Sequence, residues 1–325
     1  MFPAGIKVMN QGSDLRWLHR LAWLTAIIAL LPISLGAVVT TVDAGMAFAD
    51  WPTSHGQGML AFPWLQSKGD EFLEHGHRLA GMLVGLVTLA LTAVAFGTEC
   101  RSHVRGVVAG ILVGVIAQGL LGGWRVLADE RVIAMLHALF AAVVFSLMAL
   151  LVVMTGRQWQ SEAPLTKAAA GRMAQWTGIV LVLVLSIQYV LGGLLRHLGS
   201  AHAWLVHPWF ALAVVIAAIG FAVACWQTQA AALRRGALLV LGLITAQALL
   251  GVVTWGVRYG FPQWDIMAYQ QSSLQVAVRS LHKVLGLLTF MATVVTVVRV
   301  WKLLAPSRLP TVSLPSPMAA AGGVA

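Results

Sequence analysis

Residues 132–154 read VIAMLHALFAAVVFSLMALLVVM, an apolar run with no charged side chain and one histidine, His137, near its start. An α-helix rises 1.5 Å per residue, so about 20 such residues cross the roughly 30 Å hydrocarbon layer of a bilayer. The run is of spanning length. Seven more surround it, at 16–41, 75–97, 104–124, 172–195, 205–226, 236–257 and 280–302, separated by shorter polar stretches. Charged residues are 10% of the 325 and apolar residues 59%, whereas a soluble domain carries about 25% charged residues. The chain therefore reads as an all-α integral membrane protein of eight transmembrane helices. A transmembrane barrel would need alternating segments of about ten residues instead. No cleavable signal peptide is evident, because the first run, preceded by Arg16, is itself of spanning length.

The net charge of +10 is not a nucleic-acid signature, because it is distributed by loop. Lys7, Arg16, Arg20, Arg101, Arg105, Arg157, Lys167, Arg172, Arg234, Arg235, Arg299, Lys302 and Arg308 all fall on one set of alternate connections. Lys68, Arg78, Arg125, Arg131, Arg196, Arg258, Arg279 and Lys283 fall on the other, with most of the acids. The positive-inside rule puts both termini in the cytoplasm. Cys100 and Cys225 sit near cytoplasmic helix ends, where a structural disulfide is not expected and no zinc spacing exists. The stretch 304–325, rich in Pro, Ser, Ala and Gly, reads as a disordered tail.

A unit recurs four times. Pro32-Ile-Ser-Leu-Gly36, Gln118-Gly-Leu-Leu-Gly122, Gln188-Tyr-Val-Leu-Gly192 and Gln247-Ala-Leu-Leu-Gly251 each end an odd-numbered run, and each is followed by a run with a histidine near its outer start: His77, His137, His207 and His282. The segments His77-Arg-Leu-Ala-Gly and His282-Lys-Val-Leu-Gly resemble each other, as do His137-Ala-Leu-Phe-Ala and His207-Pro-Trp-Phe-Ala. Multiplied helix pairs of this kind give two four-helix halves, 16–155 and 172–303, with a cytoplasmic segment 1–15 before them and a cytoplasmic linker 156–171 between. Two readings fit the glycine of each unit: close approach of helix backbones, or room for a flat ligand.

Ionisable groups in a bilayer are costly and tend to mark function. Four histidines at matching depth, with no Cys or carboxylate cluster beside each, fit haem better than zinc: two imidazoles from facing helices clamp one iron axially, and four serve two haems. Satisfied core histidines are the competing reading. His55, His75, His197 and His202 are rival ligands in loops or at helix mouths; His19 and His103 lie on the cytoplasmic side. Arg78, Arg125, Arg196 and Lys283 lie beside the repeated units. They suit haem propionates or lipid phosphates. One acid breaks the repeat. Glu74 stands three residues before His77, where the other units have Ala134, Trp204 and Arg279. It shares a helix face with His77 and is available for acid–base work or for stabilising a cation, or simply meets the helix dipole with Asp70 and Glu71.

Gly36-Ala-Val-Val-Thr40, Asp50-Trp51-Pro52 and Glu74-xx-His77-Arg78, with the repeated Leu-Gly segments, resemble the heme A synthase family of bacteria and mitochondria over roughly residues 17–303. The resemblance implies two pseudo-symmetric four-helix bundles. It implies haem b as cofactor between His207 and His282, and haem O as substrate at His77 and His137. Glu74 maps to a glutamate important for activity and is the catalytic residue that the resemblance implies. The implied reaction oxidises a methyl group of haem O to the formyl group of haem A by successive hydroxylations, supplying aa3-type terminal oxidases. Implied partners are heme O synthase, an electron acceptor and membrane lipid; a homo-oligomer stays open. Some bacterial members carry cysteine pairs in outer loops, which this chain lacks. The competing functional readings are a diheme b-type electron-transfer cytochrome and a transporter or haem-handling chaperone.

Overall fold

The structure, a computed structural model, describes residues 11–99, 101–265 and 267–304. Lys7, Cys100, Arg308 and the expected tail beyond Leu304 lie outside them, as does most of the expected segment 1–15, whose last residues begin the first helix. The described residues form eight long helices and one short one. They are α1 (Gln11–Thr41), α2 (Gly69–Thr98), α3 (Ser102–Ala128), α4 (Arg131–Thr155), the short α5 (Arg157–Ser161), α6 (Ala168–Leu198), α7 (Ala201–Gln227), α8 (Ala231–Tyr259) and α9 (Ser273–Leu304). All eight long helices are apolar enough to cross a membrane. They run to between 25 and 32 residues, so at 1.5 Å per residue each exceeds the hydrocarbon thickness and projects beyond it or tilts. The extra length lies mainly where polar residues hide the helix from a hydropathy reading. Thus α2 begins at Gly69, with Asp70 and Glu71 in its first turn, ahead of the expected start at 75.

Packing joins α1 to α2 and α4, and α3 to α2 and α4; likewise α6 joins α7 and α9, and α8 joins α7 and α9. Each group closes on itself as four antiparallel helices. The groups meet where α1 touches α9 and where α4 touches α6 and α9. In lipid the contact between helices depends on close packing rather than on expulsion of water. Small residues provide it: a Cβ on Gly114 would lie 2.8 Å from Val144 of α4, and one on Gly236 would lie 2.9 Å from Thr296 of α9. Several hydroxyls inside the bundles are satisfied within their own helices. Thr25, Ser146, Thr289, Thr293 and Thr296 each donate to the carbonyl four residues back, which lowers the cost of a polar group in hydrocarbon. Many large apolar side chains point outward, such as Ile216 at 70% exposure and Val113 at 65%. On a soluble protein that surface would be an aggregation liability; on a membrane bundle it is the lipid face.

On one face the segment after α5 is clasped by α9. Glu162 sits between Arg299 (3.3 Å) and Lys302 (3.4 Å), and Lys302 also donates to the carbonyl of Trp159. The other face carries the connections 42–68, 129–130, 199–200 and 260–272, and all four repeat histidines. It is called the histidine face below.

Gly114→Leu should lower the unfolding midpoint in detergent, because overpacking α3 against Val144 costs typically about 1–3 kcal/mol. An unchanged midpoint would mean the α3–α4 contact is looser than the 2.8 Å approach implies.

Candidate functional site

Each repeat unit makes the same local contact. A Cβ on Gly36 would come within 3.0 Å of His77 Cε1, and the matching distances are 3.3 Å for Gly122 to His137, 3.2 Å for Gly192 to His207 and 3.3 Å for Gly251 to His282. The glycine therefore makes room for the imidazole of the following spanning helix. Neither expected reading of it, backbone approach or space for a flat ligand, described that contact. The glutamine one turn earlier holds the same helix. Gln118, Gln188 and Gln247 donate through Nε2 to the carbonyls of His137 (3.2 Å), His207 (3.0 Å) and His282 (2.9 Å). The first unit has Pro32 in that place, and there the bond runs the other way: His77 Nδ1 donates to the Pro32 carbonyl at 2.9 Å. A carbonyl can only accept, so Nδ1 carries the proton and the Nε2 lone pair of His77 is free.

The four rings form two pairs across diagonally placed helices. His77 of α2 faces His137 of α4 with ring centroids 6.3 Å apart and planes at 81°. His207 of α7 faces His282 of α9 at 6.5 Å and 83°. Two imidazoles that grip one metal from opposite sides, each nitrogen about 2 Å from it, put their centroids about 6 Å apart. Among the described residues no group of three or more His, Cys, Asp or Glu comes together. A pair of imidazoles cannot complete a tetrahedral ion by itself, but it suffices for a haem iron, whose macrocycle supplies the remaining nitrogens. The Nδ1 atoms of His137, His207 and His282 are buried without a hydrogen-bond partner. Rings left unsatisfied in this way are a cost for a purely structural core, and they fit a site built around a further group.

Of the rival histidines, His75 and His55 are otherwise engaged. His75 is fully buried and uses both ring nitrogens, Nε2 donating to the Met59 carbonyl (3.0 Å) and Nδ1 accepting from Ser54 (2.9 Å). His55 is exposed beside Glu71 at 3.0 Å. His19 bonds Thr155 at the opposite face. His197 and His202 lie at the α6–α7 turn, outside both ring pairs.

Glu74 is 1% exposed. Its Oε2 accepts from the Ala47 amide at 2.7 Å, and its Oε1 meets Arg78 at 2.8 Å and Arg125 at 3.8 Å. Arg78 continues to the carbonyls of Asp50 (3.0 Å) and Thr53 (2.7 Å), and Arg125 donates to the Gly45 carbonyl. One carboxylate thus ties α2, α3 and the 42–68 connection into one piece over the mouth of the His77–His137 pair. Trp51 of the same connection lies against Gly123, which any larger residue would displace. These loop partners were not visible in the sequence, since they bond through main-chain groups. Pro32 was visible only as the odd member of the glutamine series.

Asp50 caps the turn that Arg78 grips. It accepts from Thr53 Oγ1 (2.6 Å) and from the amides of His55 (3.0 Å) and Gly56 (2.8 Å). The Thr53 hydroxyl foremost, then those amides, lower its carboxyl to about 2. The remaining cations differ. Arg196 of α6 donates to the Ala37 carbonyl and Thr41 Oγ1 of α1, both at 2.7 Å, and so crosses between the two helix groups. Lys283 donates to the Tyr189 hydroxyl at 2.7 Å and lies over that ring. Their partners are neutral.

Fold and site together define a multi-pass membrane protein with paired intramembrane imidazoles. The model of the cytochrome oxidase assembly protein family (COX15-CtaA) matches residues 19–206, more than half of the chain and a span that includes Glu74, His77 and His137. The chain belongs to that family. It is 28% identical over 256 residues to a heme A synthase of Symbiobacterium thermophilum, covering 70% of this chain and 81% of the relative. It is 30% identical over 149 residues to one of Rhizobium rhizogenes, covering 42% and 39%. It is 34% identical over 151 residues to one of Cereibacter sphaeroides, covering 39% and 38%, so the chain spans well under half of these last two.

Two outcomes are expected. The Asp50 turn should hold above the ordinary carboxylate pKa and loosen as pH falls from about 4 toward about 2. Amide exchange at residues 53–56 should report this, and protection unchanged down to that pH would refute the assigned cause. Gly251→Val should push the His282 ring from its place and lower the unfolding midpoint in detergent. An unchanged midpoint would show that the ring has slack.

Proposed function

We propose that the protein is a heme A synthase that oxidises a methyl group of haem O to a formyl group by successive hydroxylations, yielding haem A for aa3-type terminal oxidases. In this reading it resides in the cell membrane with both termini cytoplasmic and the histidine face outward. His207 and His282 hold a haem b cofactor, and His77 and His137 hold the substrate. The carrying observation is the combination of two imidazole pairs of nearly equal spacing with a carboxylate at only one of them.

A haem b held by His207 and His282 would supply one-electron redox chemistry. The protein's own residues do the rest. His77, with Nδ1 committed to Pro32, presents a fixed Nε2 lone pair. Glu74 holds negative charge beside the substrate site within a ring of donors. It is poised to stabilise positive charge developing there or to take a proton. The 42–68 connection, fastened by Arg78 and Arg125, closes the mouth against water. Of the four cations, Arg196 and Lys283 suit propionates better than Arg78 and Arg125, which already share Glu74. Heme O synthase is the natural supplier of the substrate.

The test is pigment extraction from cells co-expressing this chain with a heme O synthase. Haem A or its hydroxylated precursor is expected, and haem O alone would overturn the proposal. The near-identity of the two pairs also suits a diheme electron-transfer cytochrome; two haems that both resist exchange, with no modified haem, would favour it. Glu74→Gln should retain bound haem and lose at least about tenfold in formyl product, the rate equivalent of about 1.4 kcal/mol. Glu74→Ala is less informative, since stranding buried Arg78 costs about 3–5 kcal/mol in stability. Full activity of the Gln variant would remove the carboxylate from the chemistry.

A further inference from the structure

The connection 42–68 has two unlike sides. Its inner side is polar and fully engaged: Ser54 and the Met59 carbonyl hold His75, and the Asp50 and Thr53 carbonyls hold Arg78. Its outer side is an apolar ridge, with Leu60 80% and Leu65 83% exposed. In water such residues at a loop tip would be a liability.

Three observations say what covers the ridge. The first is continuity. Trp64 stacks on Phe72 of α2 at 5.0 Å, donates its indole N–H to the Phe72 carbonyl at 2.8 Å, and packs against Gly76, where a Cβ would be 3.2 Å away. Phe72 begins the exposed stripe of α2 that continues through Leu83 and Leu86, the side a bilayer covers. The ridge prolongs that stripe. The second is the backbone. Amides of Ala61 and Phe62 donate to Gly58, Trp64 to Phe62, Gln66 to Pro63 and Ser67 to Trp64, and Pro63 has no amide hydrogen to satisfy. These internal bonds satisfy the amides of residues 61, 62, 64 and 66 and so lower the cost of taking the segment out of water. The third is the rim. Lys68 and Gln57 are exposed to either side of the ridge, where headgroups would lie, and a tryptophan between them is the residue type enriched at that depth. Between ridge and helix, Met59, Phe62, Trp64, His75 and Leu79 line a cleft of about 340 Å³, open to the same side.

We propose that residues 58–66 are seated in the membrane leaflet on the histidine face, with Leu60 and Leu65 among the acyl chains and Trp64 at the headgroup boundary. The connection is then an interfacial element and not an aqueous loop. It fixes the depth of the segment that Glu74, Arg78 and Arg125 hold over His77.

The test uses the full chain in phospholipid nanodiscs, with Cys100→Ser and Cys225→Ala, and a nitroxide on Leu60→Cys, Leu65→Cys or Gln57→Cys. Collision with oxygen, which concentrates in acyl chains, should exceed collision with a water-soluble nickel chelate several-fold more at 60 and 65 than at 57. Equal ratios at all three would place the ridge in water and overturn the proposal. Protection from both reagents with spin–spin broadening would assign the ridge to a second copy, and also overturn it. Unlabelled protein gives a check free of labelling damage. Brominated lipid should quench less of the total tryptophan emission in Trp64→Phe than in the parent, and no difference would count against the seating.

Discussion

An imidazole inside a helix bundle needs room that a close-packed interior does not have, and the structure provides it by leaving out a side chain opposite. Each of the four repeat histidines has this arrangement, with Gly36, Gly122, Gly192 and Gly251 each about one atom's width from a ring. The spacing of the two ring pairs depends on it. A single Cβ at any of these glycines would press on Cε1, and the ring would tilt or its helix would shift. Because interiors are packed like solids, a displacement at one ring is not absorbed locally. It reaches the partner helix through the glutamine that bonds the histidine's own carbonyl.

The repeat makes the two pairs alike, and the connections make them different. At His77 the glutamine is replaced by Pro32, which fixes the tautomer, and Glu74 gathers two arginines and a loop amide. An isolated carboxylate at that depth would be prohibitively expensive to ionise. Here its charge is shared with Arg78 and Arg125, and those cations are in turn satisfied by loop carbonyls. The network is worth little as stabilisation, since an apolar replacement of similar volume could do as well. Its value is in placement: a long connection is held in one position over one of two otherwise similar sites.

The eight spanning helices were legible in the sequence because hydropathy over about 20 residues is a strong signal in a medium that demands it. The repeat histidines were legible too, as ionisable groups near the outer start of the run that follows each Leu-Gly segment. Helix ends were less so. The start of α2 at Gly69 is masked by Asp70 and Glu71, which favour a helix N-terminus but depress hydropathy. The fit of glycine to ring could not be read, because it joins residues 41 positions apart in one unit and 15 in the next. Nor could the surroundings of Glu74. Its position suggested acid–base work or a helix dipole, yet it is held by Arg78, Arg125 and the Ala47 amide, the arginines are held by carbonyls of residues 45–53, and main-chain groups leave no mark in a sequence. His75 shows the same limit: next to His77 in type and position, it is set apart only by Ser54 and Met59.

Four of the eight basic residues on the histidine face lie beside the repeated units, and their surroundings divide them. Arg78 and Arg125 share Glu74, which offsets one of their two charges. Arg196 and Lys283 bond only to a carbonyl, two hydroxyls and an aromatic face. A hydroxyl or carbonyl orients its dipole toward a cation but does not cancel its charge, and in a low-dielectric interior the residual field is long-ranged. Such a field lowers the free energy of any anion that enters the junction where α6 and α9 meet α1 and α4. Two carboxylates on the edge of a bound macrocycle are anions of the right kind, and they would arrive with the ligand that the neighbouring His207–His282 pair is spaced to hold. Arg196 and Lys283 are therefore the charges that an anion entering this junction would balance, whereas the charge of Arg78 and Arg125 is already partly offset by Glu74.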